Sequence, residues 1–183
     1  MTAESFLAQE VVAFWREAGP KRWFAKDEAF DAEFKTRFEA AHHAAASGAL
    51  DAWAGDAQGA LALLVLLDQF PRNTWRGSAR MYATDGKALE VARAAVDAGL
   101  DQRIDDPQLR AFFYLPFMHS ESLADQERSV QLCQSAHPDN LRFAQHHRDI
   151  VARFGRFPHR NAALGRATAP EEQRFLDEGG FSG

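Results

Sequence analysis

The chain has 183 residues, of which 46% are hydrophobic, enough for one substantial core and short of what two independent domains need. Its formal net charge of -5 argues against broad, nonspecific nucleic-acid binding. The longest wholly apolar run, Ala60 to Leu67, is far shorter than the roughly 20 residues that cross a bilayer, so no membrane span is expected.

Glu4 and Glu10 interrupt the N-terminal apolar stretch, which therefore lacks the pattern of a secretory signal, and a cytoplasmic location is expected. Cys133 is the single cysteine. It excludes an internal disulfide and a thiolate metal cluster, and its apolar neighbours Val130 and Leu132 make it an inert core thiol.

Helical periodicity begins near Ser5, where Phe6, Val11, Phe14 and Trp15 form an apolar stripe that Gly19-Pro20 ends. The next helix spans Glu28 to Ser47, with Phe30, Phe34, Phe38, Ala41 and Ala45 at helical spacing and Gly48 as its exit. A third, from Asp56 to Phe70, is apolar on nearly every side and is placed at the centre of the fold. Its Ala and Leu content favours helix over strand. Pro71 is expected to end it and to open a polar loop.

A fourth helix follows from Asp85 to Ala98, with Thr84 as candidate cap and Gly99 as terminator. Asp106-Pro107 starts another helix, carrying Phe112 and Leu115, which Pro116 should interrupt. Helices are then expected from Glu121 or Ser122 to Gln134, from Asp139 to Phe154 and from Pro170 to Asp177, the last opened by a capping box of Thr168 and Glu171. No set of alternating strands survives. The pattern predicts one all-α domain over residues 1–183, a stack of seven or eight antiparallel helices around one core, to which Leu63, Leu64, Leu66, Leu67, Phe112, Leu115 and Phe154 contribute.

Three segments combine a proline, an aromatic anchor and long polar side chains: Asp68 to Asn73, Pro116 to Glu121 and Arg153 to Asn161. Their distance in sequence does not prevent a meeting in space, and Asp68, Arg72, Asn73, His119, Glu121, Arg156, His159, Arg160 and Asn161 are the candidate ligand-binding residues. Arg72, Arg156 and Arg160 supply charge for a carboxylate or phosphate, or else pair with Asp68, Glu121 and Asp125 and close the fold. Phe70, Phe117 and Phe157 would supply an apolar rim or floor.

Between Arg142 and Arg166 lie four more arginines, Arg148, Arg153, Arg156 and Arg160, and Asp149 is the only acid. Within an acidic chain this suggests focused attraction of a small anion or acidic peptide. His119, Glu121, His146, His147 and His159 offer metal-ligand chemistry, but no His-Glu-x-x-His or paired cysteine spacing occurs, so neither a metal nor a cofactor is expected. There is no nucleophile elbow and no glycine-rich phosphate loop. General acid–base work by His119 with Glu121, in a hydrolase-like enzyme with or without a divalent metal, is the alternative to a binding module. A structural or protein-interaction role is the third reading.

Almost end to end, the chain resembles the family known as domain of unknown function 924. The residues that carry the resemblance are Phe14-Trp15, Trp23-Phe24, Phe30-Asp31, Gly48 to Trp53, Leu66 to Asn73, Pro116 to Glu121, Gln126, Arg153 to Asn161 and Leu164-Gly165-Arg166. Thr168, Pro170 to Glu172 and Phe175-Leu176 resemble its terminal segment. The resemblance implies a tetratricopeptide-like helical stack with a concave face suited to peptides or small ligands. It implies no reaction and no catalytic residue, and Met118 stands where many relatives carry an acid.

Overall fold

The computed structural model describes residues 7–134 and 138–181. The expected start of the first helix at Ser5 and Phe6 lies outside the described residues. Helix α1, Ala8–Ala18, buries Val11, Val12, Phe14 and Trp15. Gly19, at φ 68°, turns the chain into the single turn α2, Pro20–Trp23, whose Trp23 indole donates to the Trp15 carbonyl.

Helix α3, Glu28–Ala46, is capped by Asp27, which accepts the Phe30 amide at 3.0 Å. Its Phe30 and Phe34 rings stack on Phe14, at 5.2 and 5.3 Å between centroids, so the stripe read from the sequence is the α1–α3 interface.

Helix α4, Ala57–Leu64, starts on Asp56, whose carboxylate accepts the amides of Gln58 and Gly59. Gly59 sits where any Cβ would lie 2.0 Å from the Trp53 carbonyl oxygen, so only glycine lets this helix pass. From Ala60 to Leu67 every residue is fully buried, which makes α4 and its extension the centre of the molecule. Replacing any one of these leucines by alanine costs about 2–5 kcal/mol in comparable cores.

The expected stop at Pro71 is overturned. The chain widens into a π-turn over Val65–Gln69 and returns to α-helix as α5, Phe70–Thr74. Two external side chains make this possible. The Phe70 amide reaches back five residues to Val65, which strands the Leu66 carbonyl, and His42 Nδ1 donates to it at 2.8 Å. Pro71 has no amide hydrogen for the Leu67 carbonyl, and the Thr84 hydroxyl donates there instead, at 2.5 Å. Thr84 holds the N-cap position of α6, Asp85–Asp97, as the spacing suggested, but its hydroxyl makes no capping bond there.

Asp106 accepts the Gln108 amide and starts α7, Pro107–Arg110. Pro116 does not interrupt a helix but opens α8, Leu115–His119, where a missing amide hydrogen costs nothing. Helices α9, Leu123–Cys133, and α10, Pro138–Phe154, pack on each other, and α11 covers Pro170–Asp177 as expected. The cap of α11 lies one residue later than the capping-box reading. Glu172 accepts the Ala169 amide at 2.8 Å, while Thr168 accepts from Asn161.

The fold is all-helical, and no strand occurs among the described residues. Leu63, Leu64, Leu66, Leu67 and Phe112 are core residues, with Leu115 packed against them. Phe154 belongs instead to a small satellite cluster with Ile150, Val151, Phe157, Phe175 and Phe181, because α10 and α11 meet away from α4. Cys133 is buried, and burial pushes its thiol up to about 11. No helix among the described residues is long and apolar enough to cross a membrane.

Candidate functional site

The π-turn turns Asp68 toward α8. Its Oδ1 accepts His119 Nδ1–H at 2.7 Å, Oδ2 accepts the Gln69 amide, and Arg72 stands 3.1 Å from Oδ1. Arg72 also forms a two-point pair with Asp85, at 2.8 and 3.0 Å, and donates to the Asp68 carbonyl. Burial pushes the Asp68 carboxyl up, but Arg72 and His119 outweigh it and hold it at about 2. The same pairs, with Asp68 and Asp85, keep Arg72 above the ordinary guanidinium range despite its burial.

Arg160 is less well matched. Buried at 6% exposure, it reaches Asp85 only at 3.4 Å, donates to the His119 carbonyl at 2.9 Å, and leaves Nε without a partner among the described residues. Its flat face lies over Tyr82 and Phe157, with 4.7 and 4.5 Å to the ring centroids. Burial and then the Arg72 charge pull it below the usual arginine range, the sign of a cation not fully compensated where it stands.

A second string of pairs begins at Glu121, which accepts Arg166 at 2.7 and 3.0 Å and the Phe157 amide at 2.8 Å. Arg166 bonds Asn161, Asn161 bonds Glu172, and Glu172 takes Arg156 at 2.6 and 2.8 Å. Arg156 holds Glu172 at about 2 and is thereby committed to the C-terminal helix.

A cavity of about 780 Å³ opens beside the first string. Of the nine sequence candidates, Arg72, Asn73, His119, His159 and Arg160 line it. Asp68 stands behind His119, and Glu121 lines a smaller cavity of about 310 Å³. Arg156 and Asn161 line neither, because both are spent on Glu172. Among the described residues, three arginines, Arg72, Arg76 and Arg160, border the large cavity and no carboxylate does. Arg76 and Asn73 are held from behind by Asp31.

Phe70, Phe117 and Phe157 are buried in the packing rather than at the cavity. The apolar wall comes from Trp23, Phe24, Met81, Leu115, Phe143 and Phe181. Phe24 and Phe143, exposed at 69% and 47%, mark its mouth. His147 and His159 complete the wall as neutral rings, since burial pushes them down to about 3 and about 4. Among the described residues, His159 Nδ1 has no hydrogen-bond partner.

The expected pairing of the arginines is corrected in two places. Asp85, not Glu121, joins Arg72 to Arg160, and Asp125 pairs with Arg93 and Ser120. His119 finds its carboxylate in Asp68 and not in Glu121. Among the described residues, no group of three His, Cys, Asp or Glu side chains is placed to hold a metal ion.

The sequence matches the family described as bacterial protein of unknown function, DUF924, over residues 11–180. A solved structure of a protein of unknown function from Agrobacterium tumefaciens is similar to it, with a TM-score of 0.91 and 53% sequence identity over 93% of this chain and 97% of that one. No curated protein matches. With the family model matched across nearly its whole length, this chain belongs to the DUF924 family.

Proposed function

We propose that the large cavity binds a small organic anion whose body is apolar and whose charged end meets Arg160, Arg72 and Arg76. The observation that carries this reading is the under-compensated Arg160, buried in a cavity wall whose described residues include three guanidinium groups and no carboxylate. An incoming carboxylate or phosphate supplies the countercharge that Asp85, shared with Arg72, does not. The volume suits a ligand of drug-like size, and the aromatic mouth and neutral histidines favour an apolar body over a bare inorganic ion.

Most basic groups are paired, which argues for a local anion site rather than a polyanion surface such as nucleic acid contacts. A tetratricopeptide-like concave face would be a further place for a peptide, but the residues behind this proposal line a cavity among helix ends. A cytoplasmic setting, with Cys133 kept as a thiol, fits the same reading.

Calorimetric titration of aromatic carboxylates, acyl-chain carboxylates, phosphate monoesters and acidic peptides tests it. The folded protein is expected to bind a carboxylate or phosphate of the first three classes. Arg160→Met and Arg76→Ala should each weaken binding by about 10-fold or more, or about 1.4 kcal/mol. Arg156→Ala should leave it unchanged, because Arg156 lies outside the cavity. Absence of binding across the panel, or equal binding by wild type and Arg160→Met, overturns the proposal, and binding of the acidic peptide alone replaces it with a peptide site.

A further inference from the structure

Resting on that reading of the cavity, we infer that His119, positioned by Asp68, is the general base of a hydrolytic site that cleaves an ester or amide bond in the bound organic anion. The two cavities share a wall made by Tyr82, His119 and Arg160. An organic anion in the large cavity and water in the small one therefore meet at His119.

The imidazole is set for proton transfer. Nδ1–H donates to Asp68, so Nε2 carries the free lone pair. Arg72 keeps Asp68 ionised, and the carboxylate is ready to stabilise the imidazolium that forms when Nε2 takes a proton. The backbone around His119 is pinned on both sides. Gln126 donates to the carbonyls of Met118 at 2.7 Å and Ser120 at 2.6 Å, and Arg160 takes the carbonyl of His119 itself. A histidine serving only as a tie to Asp68 needs neither this immobilisation nor a place on two cavity walls.

Among the described residues, no Ser, Thr or Cys is free beside His119 to act as a nucleophile. The large cavity presents no Ser, Thr or Cys among the described residues, and in the small one the Ser120 hydroxyl donates to Asp125. Water is then the nucleophile. His119 Nε2 accepts a proton from water as its oxygen bonds to the carbonyl carbon, and the carbonyl electron pair moves onto oxygen, facing the Arg160 charge. The electron pair returns, the C–O or C–N bond breaks, and the alcohol or amine leaves with the proton from His119.

The test uses nitrophenyl half-esters and anilide half-amides of dicarboxylic acids, with calorimetry of the product dicarboxylates on the same samples. The expected result is turnover by wild type, with an acid limb below the ordinary histidine value because burial and Arg72 depress His119. His119→Gln should lose at least about 100-fold in rate while binding product within a few-fold. Asp68→Asn, which removes a positioning residue, should slow the reaction and move the acid limb to lower pH, because the carboxylate's pull on the imidazolium is gone. Binding of product by wild type without turnover of any member of the panel overturns the hydrolytic assignment alone. Turnover that survives His119→Gln in folded protein also overturns it, and absence of both binding and turnover overturns the anion site as well.

Discussion

Arg72→Met is expected to lower stability by about 3–5 kcal/mol at neutral pH, the range for removing one partner of a buried ion pair. Arg72 faces two carboxylates at once, and Asp68, at 1% exposure, has little water to fall back on. Only the His119 and Gln69 hydrogen bonds would then oppose its burial. Asp68 contributes stability above its unfolded value near 3.8, which is lost as pH falls through about 2. The difference between wild type and Arg72→Met should accordingly narrow as pH falls below about 4, where the carboxylate of the variant is protonated. Urea denaturation at pH 7 and at pH 3.5 measures both effects. A loss below about 1 kcal/mol at pH 7 would mean that the pairs are dispensable.

The second large effect is acid sensitivity above the carboxylate range. His147 and His159 stay neutral in the folded chain, held at about 3 and about 4 against an ordinary 6.5, mainly by burial. Between pH 6.5 and 4 the unfolded chain binds these two protons and the folded chain does not, so stability falls as pH falls. The slope reaches up to about 1.4 kcal/mol per pH unit for each histidine. Below pH 4.5 Glu172 and then Asp68, both held at about 2, add their own losses in the same direction. Urea midpoints should therefore drop already between pH 7 and 5, and His147→Phe should flatten that drop. A midpoint constant over this interval would contradict the buried, neutral state of these rings.

Much of the helix pattern was legible because it is local. Phe30, Phe34 and Phe38 repeat every four residues, and the limits of α11 follow from Pro170 and the end of its amphipathic run. Pro71 misled for an equally physical reason. A proline inside an apolar helix signals a stop unless other elements supply donors for the freed carbonyls, and His42 and Thr84 lie 24 and 17 residues from the carbonyls they serve. No local window contains that information.

The candidate site was half legible. Prolines and charges marked the segments that place Arg72, His119 and Arg160 together, since Asp85 and the His119 carbonyl join them. Asp85 itself was hidden, because an acid in the first turn of a helix already has a reason to be there in the helix dipole. Arg156 was misplaced because its partner Glu172 reads as a helix-start residue, and the cap that seemed to involve Glu171 lies one position on. The aromatic mouth carries no sequence signal, because only the packing leaves the Phe24 and Phe143 rings exposed.

The most direct test of the anion cavity follows the Arg160 side chain itself. In ¹⁵N-labelled protein, the guanidinium Nε–H resonance of Arg160, assigned by its loss in Arg160→Met, should move as an aromatic carboxylate is titrated, with the same dissociation constant that calorimetry gives. The Arg156 resonance, locked on Glu172 outside the cavity, should stay in place. Saturation of the carboxylate with the Arg160 signal unmoved, or movement confined to Arg156 and the other surface arginines, would contradict the account.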